Sequence, residues 1–309
     1  MRVNGLRFDK AAEKFRKEIA GRVEQRVLMK RYTSFRIGGL AEVMVFPQNA
    51  DELLRVIEYC ENQSLPWRVI GKGSNLLVLD QDLEEVVVNL QDGLKNIEQT
   101  GEKSIRAEAG AHLNRLVKFC QDSGLAGLEW AAGIPGTVGG AIRMNAGAEK
   151  KGISAVLSAV EFYRWPGGRY NRSKSELKIG YRKFELGPGE IILAGQFELT
   201  KDDPVAIRER LRAFLNKRRA TQPVSFPSAG SVFKNPEGNF AGRLIEELGL
   251  KGLRNGDAQV SELHANFIIN RGRAKASQVL ELIEIIRERV RKEKGINLEL
   301  EIEIVGEEK

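Results

Sequence analysis

Ser231 and Lys234 stand three residues apart in PSAGSVFKNP (227–236), the S-x-x-K spacing by which a lysine can activate a serine for acyl transfer. That chemistry needs both side chains one turn apart on a helix, with S-D-N and K-T-G elsewhere, and neither companion occurs. Pro236 lies two residues beyond Lys234, disfavouring helical geometry at Asn235 and removing a backbone donor. Ser231 is therefore a hydroxyl whose chemistry must come from other partners. Those partners are few. His112 and His264 are the only histidines, Cys60 and Cys120 the only cysteines. Two histidines cannot build a three-histidine metal site, and two cysteines build neither a disulfide framework nor a structural zinc site, so no metal is expected. Cys60 follows Leu53 and Ile57 at helical spacing, and Cys120 follows Leu113, Leu116 and Val117 likewise. Both read as small core residues. His112, beside Leu113, reads as helix surface; His264 precedes the apolar run ANFIIN, which reads as a strand.

Two glycine loops carry the stronger signal. IGKGSNLLV (70–78) places Gly71, Gly73, Ser74 and Asn75 directly after a strand-like run. A G-x-G-x-x-G loop would need glycine where Leu76 stands, and a Walker loop would need Ser or Thr after Lys72, where Gly73 stands. What remains is a run of small residues whose exposed amides could form an anion-binding nest. AAGIPGTVGGAIRMNAGA (131–148) adds Gly133, Gly136, Gly139 and Gly140, which let the backbone approach a ligand closely. Two such loops, both free of acidic residues, suit an extended pyrophosphate. The implied ligand is a dinucleotide on a non-Rossmann scaffold.

The charge balance agrees. Over 309 residues the formal net charge is +7, which favours anionic partners. No zinc-finger spacing or RNP-like motif occurs, and the basic residues are scattered apart from Asn216–Lys217–Arg218–Arg219. Phosphorylated small molecules fit better than nucleic acid. The N-terminus is charged throughout and shows no secretory signal. The uncharged stretch Trp130 to Ile142 is too short to span a bilayer. A cytoplasmic protein without membrane insertion is expected, with a monomer as the simplest state.

The elements that must position these residues follow from periodicity. Residues 51–63 read as a helix with Leu53, Leu54, Ile57 and Cys60 on one face. WRVIG, EVVVNL (85–90), SIRAEAG (104–110), AVLSAVEFYRW (155–165) and EIILAGQFEL (190–199) read as strands, with a helix across Leu113–Cys120 between the third and fourth. Strands outnumber helices in mixed order, which argues an α+β fold. After Thr200 the texture changes: DDP (202–204) starts a helix that ends near KRRATQP. Helices over Gly242–Leu248 and Ser277–Lys292 follow. The chain closes on INLELEIEIVG, whose alternation predicts a strand with Ile296, Leu298, Leu300, Ile302 and Ile304 on one face. The main boundary is expected near 200–215, giving a region 1–205 in two parts (about 1–90 and 91–205) and a second domain, 206–309. The last strand is a candidate to return to the first region.

In this order the motifs are those of a known family. YTSFRIGG (32–39), GKGSNLLV, GIPGTVGGAIRMNAGA, YRKF (181–184), RRATQPVSFPSAGSVFKNP, LIEELGLKG (244–252), HANFIIN (264–270) and LELEIEIVG (298–306) resemble the UDP-N-acetylenolpyruvoylglucosamine reductases (UDP-N-acetylmuramate dehydrogenases, MurB) over nearly the whole chain. The resemblance implies an N-terminal FAD-binding region of the vanillyl-alcohol oxidase-like (PCMH) type and a smaller α+β substrate domain. It further implies reduction of FAD by NADPH, then hydride transfer to the enolpyruvyl alkene of UDP-N-acetylglucosamine-enolpyruvate in peptidoglycan precursor synthesis. By the same resemblance Arg182, Ser231 and Glu301 are catalytic, with Ser231 the proton donor. Gly71, Gly73, Ser74, Asn75, Gly133, Pro135, Gly136, Gly139, Gly140, Asn145 and Gly147 line the cofactor, while Asn235, Lys251 and His264 lie near the UDP-sugar. Pattern alone makes Arg182 a solvated arginine, Glu299, Glu301 and Glu303 the wet face of a strand, and Asn235–Pro236 a turn. Many flavin oxidases tether the flavin through a histidine; the N-terminal half offers only His112, outside both loops, so FAD is expected to bind non-covalently. Another non-covalent FAD oxidoreductase on the same scaffold is the alternative. Val232 follows the serine where many relatives carry cysteine, and Glu149 stands where an aromatic is common. No inserted loop separates YRKF from Gly195, so the chain resembles the loop-lacking type.

Overall fold

A computed structural model describes residues 5–148 and 151–306. The chain forms two compact units, each with a hydrophobic core of its own. Unit 1 takes the chain up to Val27, Ala41–Lys72 and Glu84–Asn216; unit 2 takes Leu28–Leu40, Gly73–Leu83 and the chain from Lys217 onward. Two short early segments thus belong with the C-terminal residues, and the GKGSN loop changes unit between Lys72 and Gly73.

Unit 1 holds helices α1 (Gly5–Glu18), α2 (Ala50–Asn62), α3 (Leu113–Asp122), α4 (Val138–Arg143) and most of α5 (Pro204–Thr221). The Asn49 side chain accepts the Glu52 N–H at 3.0 Å and starts α2. The α2 face of Leu53, Val56, Ile57 and Cys60 is fully buried, each aliphatic side chain contributing about 1.5–3 kcal/mol. A four-stranded sheet runs in the order Arg22–Leu28, Leu40–Phe46, Leu83–Asn89, Trp67–Ile70, the last two parallel. A five-stranded sheet runs Gly168–Ser173, Leu157–Arg164, Glu190–Glu198, Ser104–Glu108, Ile97–Gln99, every neighbouring pair antiparallel. Cys60 and Cys120 lie in this core as their spacing implies, and burial pushes both thiols up to about 12. His112 differs from expectation. It is the extended residue before α3, half-buried and bridged to Thr137, because the helix begins only at Leu113.

Unit 2 packs α6 (Ala241–Glu247) and α7 (Ala276–Lys294) with an antiparallel sheet of Arg254–Asn255, Ala258–Val260 and Ile268–Asn270. The Asp80 carboxylate accepts the Ala276 and Ser277 N–H groups at 2.9 and 3.2 Å, capping α7. Gly295, at φ +69°, ends α7 in the left-handed cap that glycine favours. The C-terminal segment departs from the expected single strand. Only Glu303–Val305 is a strand, paired in parallel with Leu76–Val78. Upstream, the Glu299 carbonyl accepts the Lys234 N–H and the Glu301 N–H donates to Val232, while the Glu303 N–H donates to Asn75. The partner changes along the segment, so no one ladder forms and the alternation slips: Ile304 is half-buried and Val305 buried.

Candidate active site

In unit 1 the second glycine loop is built around a short helix. Thr137 is extended at the start of α4, and its hydroxyl accepts the Gly140 N–H at 3.4 Å. A Cβ on Gly71 would run into the Thr137 hydroxyl, and one on Gly139 would sit 2.8 Å from the Ala109 Cβ. The first loop reaches the second only because Gly71 lacks a side chain. Gly133 and Gly136 take φ of +74° and +150°, and the Gly133 N–H donates to the Asn114 side chain at 3.2 Å. The described loop residues carry no carboxylate, and Lys72 adds a positive charge, a donor set that fits a pyrophosphate-bearing cofactor. Burial first, then the cationic Lys72, Arg115 and Lys95, hold the His112 pKa down. Glu149 lies outside the described residues.

Arg182 sits at the tip of a two-residue hairpin turn, with Tyr181, between Ile179–Gly180 and Lys183–Phe184. Its φ is +52°, a left-handed conformation that costs a non-glycine residue about 1–2 kcal/mol. Asn145, at φ +40°, is left-handed too. The Arg182 guanidinium donates to the Asn145 carbonyl at 3.4 Å and the Gly147 carbonyl at 2.7 Å. Asn145 answers with its own amide, donating to the Gly180 carbonyl at 2.8 Å and accepting the Ser154 N–H at 3.2 Å. Two strained residues thus lock each other's loops, bringing three of the expected site residues (Arg182, Asn145 and Gly147) into one network.

Unit 2 gathers a second group. Ser231 is bridged to Phe267 in an extended segment, so Ser231 and Lys234 are not on a helix. Lys234 pairs with Glu299 at 3.1 Å, which removes the lysine from the serine's service. The Glu301 N–H donates to the Val232 carbonyl at 2.8 Å, setting Glu301 beside the residue after Ser231. The Asn75 side chain donates to the Glu301 carbonyl at 2.9 Å, and the Asn75 carbonyl accepts the Glu303 N–H at 2.9 Å. Gly73, at φ +59°, leaves no room for a Cβ against the Tyr32 carbonyl. Glu301 is half-buried, unlike Glu299 and Glu303, so the three glutamates are not equivalent.

The remaining candidates surround α6. The Asn235 side chain accepts the Ala241 N–H at 3.0 Å, at the start of the helix. Lys251 pairs with Glu246 at 2.8 Å, and a Cβ on Gly242 would meet the His264 ring at 3.2 Å. Burial pushes the His264 pKa down, consistent with its Nδ1 accepting the Asn266 N–H at 3.3 Å. Three residues were not picked out from sequence. Thr137 could have been, as a hydroxyl before a helix. Arg218 and Gln222, four apart on and just after α5, have a buried Nε and a buried Oε1 without hydrogen-bond partners. Their helical spacing was the available signal. Burial lowers the Arg218 pKa, although the residue as a whole is only half-buried. Among the described residues no group of three or more His, Cys, Asp or Glu side chains could hold a metal ion. No helix of the described residues is long and apolar enough to cross a membrane.

Comparison with known proteins fits both halves. Residues 41–172 match the family model of an FAD binding domain, and residues 222–305 that of the UDP-N-acetylenolpyruvoylglucosamine reductase C-terminal domain. The chain is 44% identical to the UDP-N-acetylenolpyruvoylglucosamine reductase of Moorella thermoacetica, over 90% of this chain and 92% of that protein. It is 42% identical to that of Geobacter metallireducens, over 97% and 99%. The crystal structure of the Thermus caldophilus enzyme superposes with a TM-score of 0.80 at 41% identity, covering 93% of this chain and all of that one. An α+β chain with an FAD binding domain, a reductase-type C-terminal domain and end-to-end similarity of this degree belongs to the UDP-N-acetylenolpyruvoylglucosamine reductase family.

Proposed function

We propose that this flavin oxidoreductase reduces UDP-N-acetylglucosamine-enolpyruvate to UDP-N-acetylmuramate with NADPH, acting as a cytoplasmic monomer in peptidoglycan precursor synthesis. The observation that supports the residue-level reading is the main-chain bond from Glu301 to Val232, the residue after Ser231, across 69 residues of sequence. FAD, bound non-covalently, would supply the hydride chemistry, with NADPH as the reductant. Gly71 and the Gly133–Gly147 loop of unit 1 are a proposed part of the cofactor's cradle, with the Thr137 hydroxyl packed against Gly71; Gly73, Ser74 and Asn75 are further proposed cofactor residues.

Hydride arriving at one alkene carbon leaves negative charge on the other, delocalised into the attached carboxylate. Arg182 is the proposed donor to that carboxylate: a planar guanidinium fits it in a charge-assisted, bidentate contact and stabilises enolate-like charge. Ser231 delivers the proton to carbon, a role worth about 10²–10⁴-fold for a positioned acid. Glu301 is proposed to order or polarise the same carboxylate. Asn235, Lys251 and His264 are assigned to the uridine-diphosphate end. The buried, carboxylate-free Arg218 Nε suits a phosphorylated ligand as well.

The test is anaerobic mixing of NADPH-reduced protein with UDP-N-acetylglucosamine-enolpyruvate, watching the yellow flavin return. The purified protein is expected to release intact FAD on denaturation. Ser231→Ala should leave reduction by NADPH fast and slow reoxidation by about 10²-fold or more. A protein that never binds FAD would sink the reading, and wild-type reoxidation by Ser231→Ala would remove Ser231 as the acid.

A further inference from the structure

Ser231 is followed by two residues that meet their hydrogen-bond partners in different ways. Val232 is bonded through its main chain on both sides: its N–H donates to the Asn266 carbonyl at 2.8 Å, and its carbonyl accepts the Glu301 N–H at 2.8 Å. Phe233 is 1% exposed and bridged to Leu300, so its two main-chain polar groups need partners within the protein. Both are met by one side chain. The Phe233 N–H donates to the Asn266 Oδ1 at 3.0 Å, and the Asn266 Nδ2 donates to the Phe233 carbonyl at 2.8 Å. A primary amide presents the same acceptor and donor as a peptide unit, so Asn266 completes a ladder at the point where the backbone of 265–267 has turned away. Asn266 is itself 4% exposed. Its own N–H is held by His264, and its carbonyl by Val232. Every polar group of Asn266 is therefore spent within four residues of Ser231 or on the turn that carries His264.

We propose that Asn266 is a positioning residue for Ser231: it fixes the main chain of Val232–Phe233 from one side while Glu301 fixes it from the other, holding the serine hydroxyl at one place and angle. The inference rests on the reading of Ser231 as the acid. No other side chain could take over the task, because aspartate lacks the donor, leucine lacks both groups and glutamine is one methylene too long. A displacement of about 1 Å at a reacting group is enough to cost about 10²-fold in rate.

The experiment follows the two half-reactions of the FAD-loaded protein by anaerobic stopped flow for wild type, Ser231→Ala, Asn266→Ala, Asn266→Asp and the Ser231→Ala/Asn266→Ala double variant. Asn266→Ala is expected to leave NADPH-driven flavin reduction unchanged and to slow reoxidation by UDP-N-acetylglucosamine-enolpyruvate by about 10²-fold. The double variant should be no slower than Ser231→Ala, since a residue acting through the serine has nothing left to position. Multiplying losses in the double variant, or wild-type reoxidation by Asn266→Ala, overturn the proposal. Should Asn266→Ala fail to fold, the isosteric Asn266→Asp decides: it keeps the acceptor for the Phe233 N–H and sets a carboxylate oxygen against the Phe233 carbonyl in place of the donor, reoxidation should slow while reduction does not, and an unchanged rate rejects the positioning role. Wild-type reoxidation by Ser231→Ala alone would instead remove the acid reading itself, an outcome distinct from a failure at Asn266.

Discussion

The Arg182 guanidinium is tied to the Asn145 and Gly147 carbonyls, while its backbone is held left-handed at a hairpin tip. A glycine would sit at that φ without strain, so an arginine there is retained for its side chain, an arrangement that recurs at functional sites. Arg182→Gly exchanges about 1–2 kcal/mol of relieved strain for two lost hydrogen bonds of comparable worth. The melting temperature should move little, while NADPH oxidation driven by the enolpyruvyl substrate should fall by about 10²–10³-fold. A variant that loses stability and keeps turnover would make Arg182 a structural residue. Ser231 teaches the converse. Its S-x-x-K spelling lacks the companion motifs and the helix that a nucleophile needs, and the extended backbone with a Lys234–Glu299 pair agrees with that reading.

At the scale of elements, the two glycine loops depend on one crossing. Thr137 is buried, β-branched and engaged as the cap of α4, so it cannot swing away from a Cβ on Gly71 without giving up that cap. Gly71→Ala is expected to destabilise the protein by about 1–3 kcal/mol through overpacking and to weaken retention of FAD on gel filtration. Gly167→Ala is the control, since a Cβ there would meet only the Arg164 carbonyl at an ordinary 3.6 Å. Equal FAD content in the two variants would separate the crossing from cofactor binding. Helices with one apolar face, such as α2 and α7, were legible because burial repeats every three to four residues. The C-terminal alternation was legible only as far as Ile302, because its later residues follow a change of partner.

For the molecule as a whole, acid stability should be set by carboxylates of the unit 1 sheet. A hydrogen bond from Arg106, with the same guanidinium's charge, holds Glu161 below the ordinary 4.5. Burial alone would raise Glu190, but hydrogen bonds from Tyr170, the Gly187 N–H and Arg172 outweigh it and lower its pKa. A carboxylate lowered in the folded state binds fewer protons there than in the unfolded chain. Its contribution is therefore complete above the ordinary value and lost as pH falls through the lowered one. Urea midpoints should stay flat from pH 7 to about 5 and fall steeply below about 4.5. Glu190→Gln should lower the unfolding free energy at neutral pH by about 2–3 kcal/mol and flatten part of the acid slope. An unchanged slope would acquit Glu190.

Local pattern was enough for the helix faces, the buried cysteines, the failure of both standard nucleotide loops and the α+β class, since each depends on residues within one element. Motif order along the chain was enough for the family. Tertiary structure alone decided that Leu28–Leu40 and Gly73–Leu83 belong with the C-terminal unit. It also decided that Arg182 is strained, that Glu301 differs from its neighbours, and that one asparagine clasps the backbone beside Ser231. The reason is physical. Periodicity records which side of an element is buried, whereas the hydrogen-bond partner of an extended segment can come from anywhere in the chain: Val232 finds Asn266 and Glu301, and Glu303 finds Asn75.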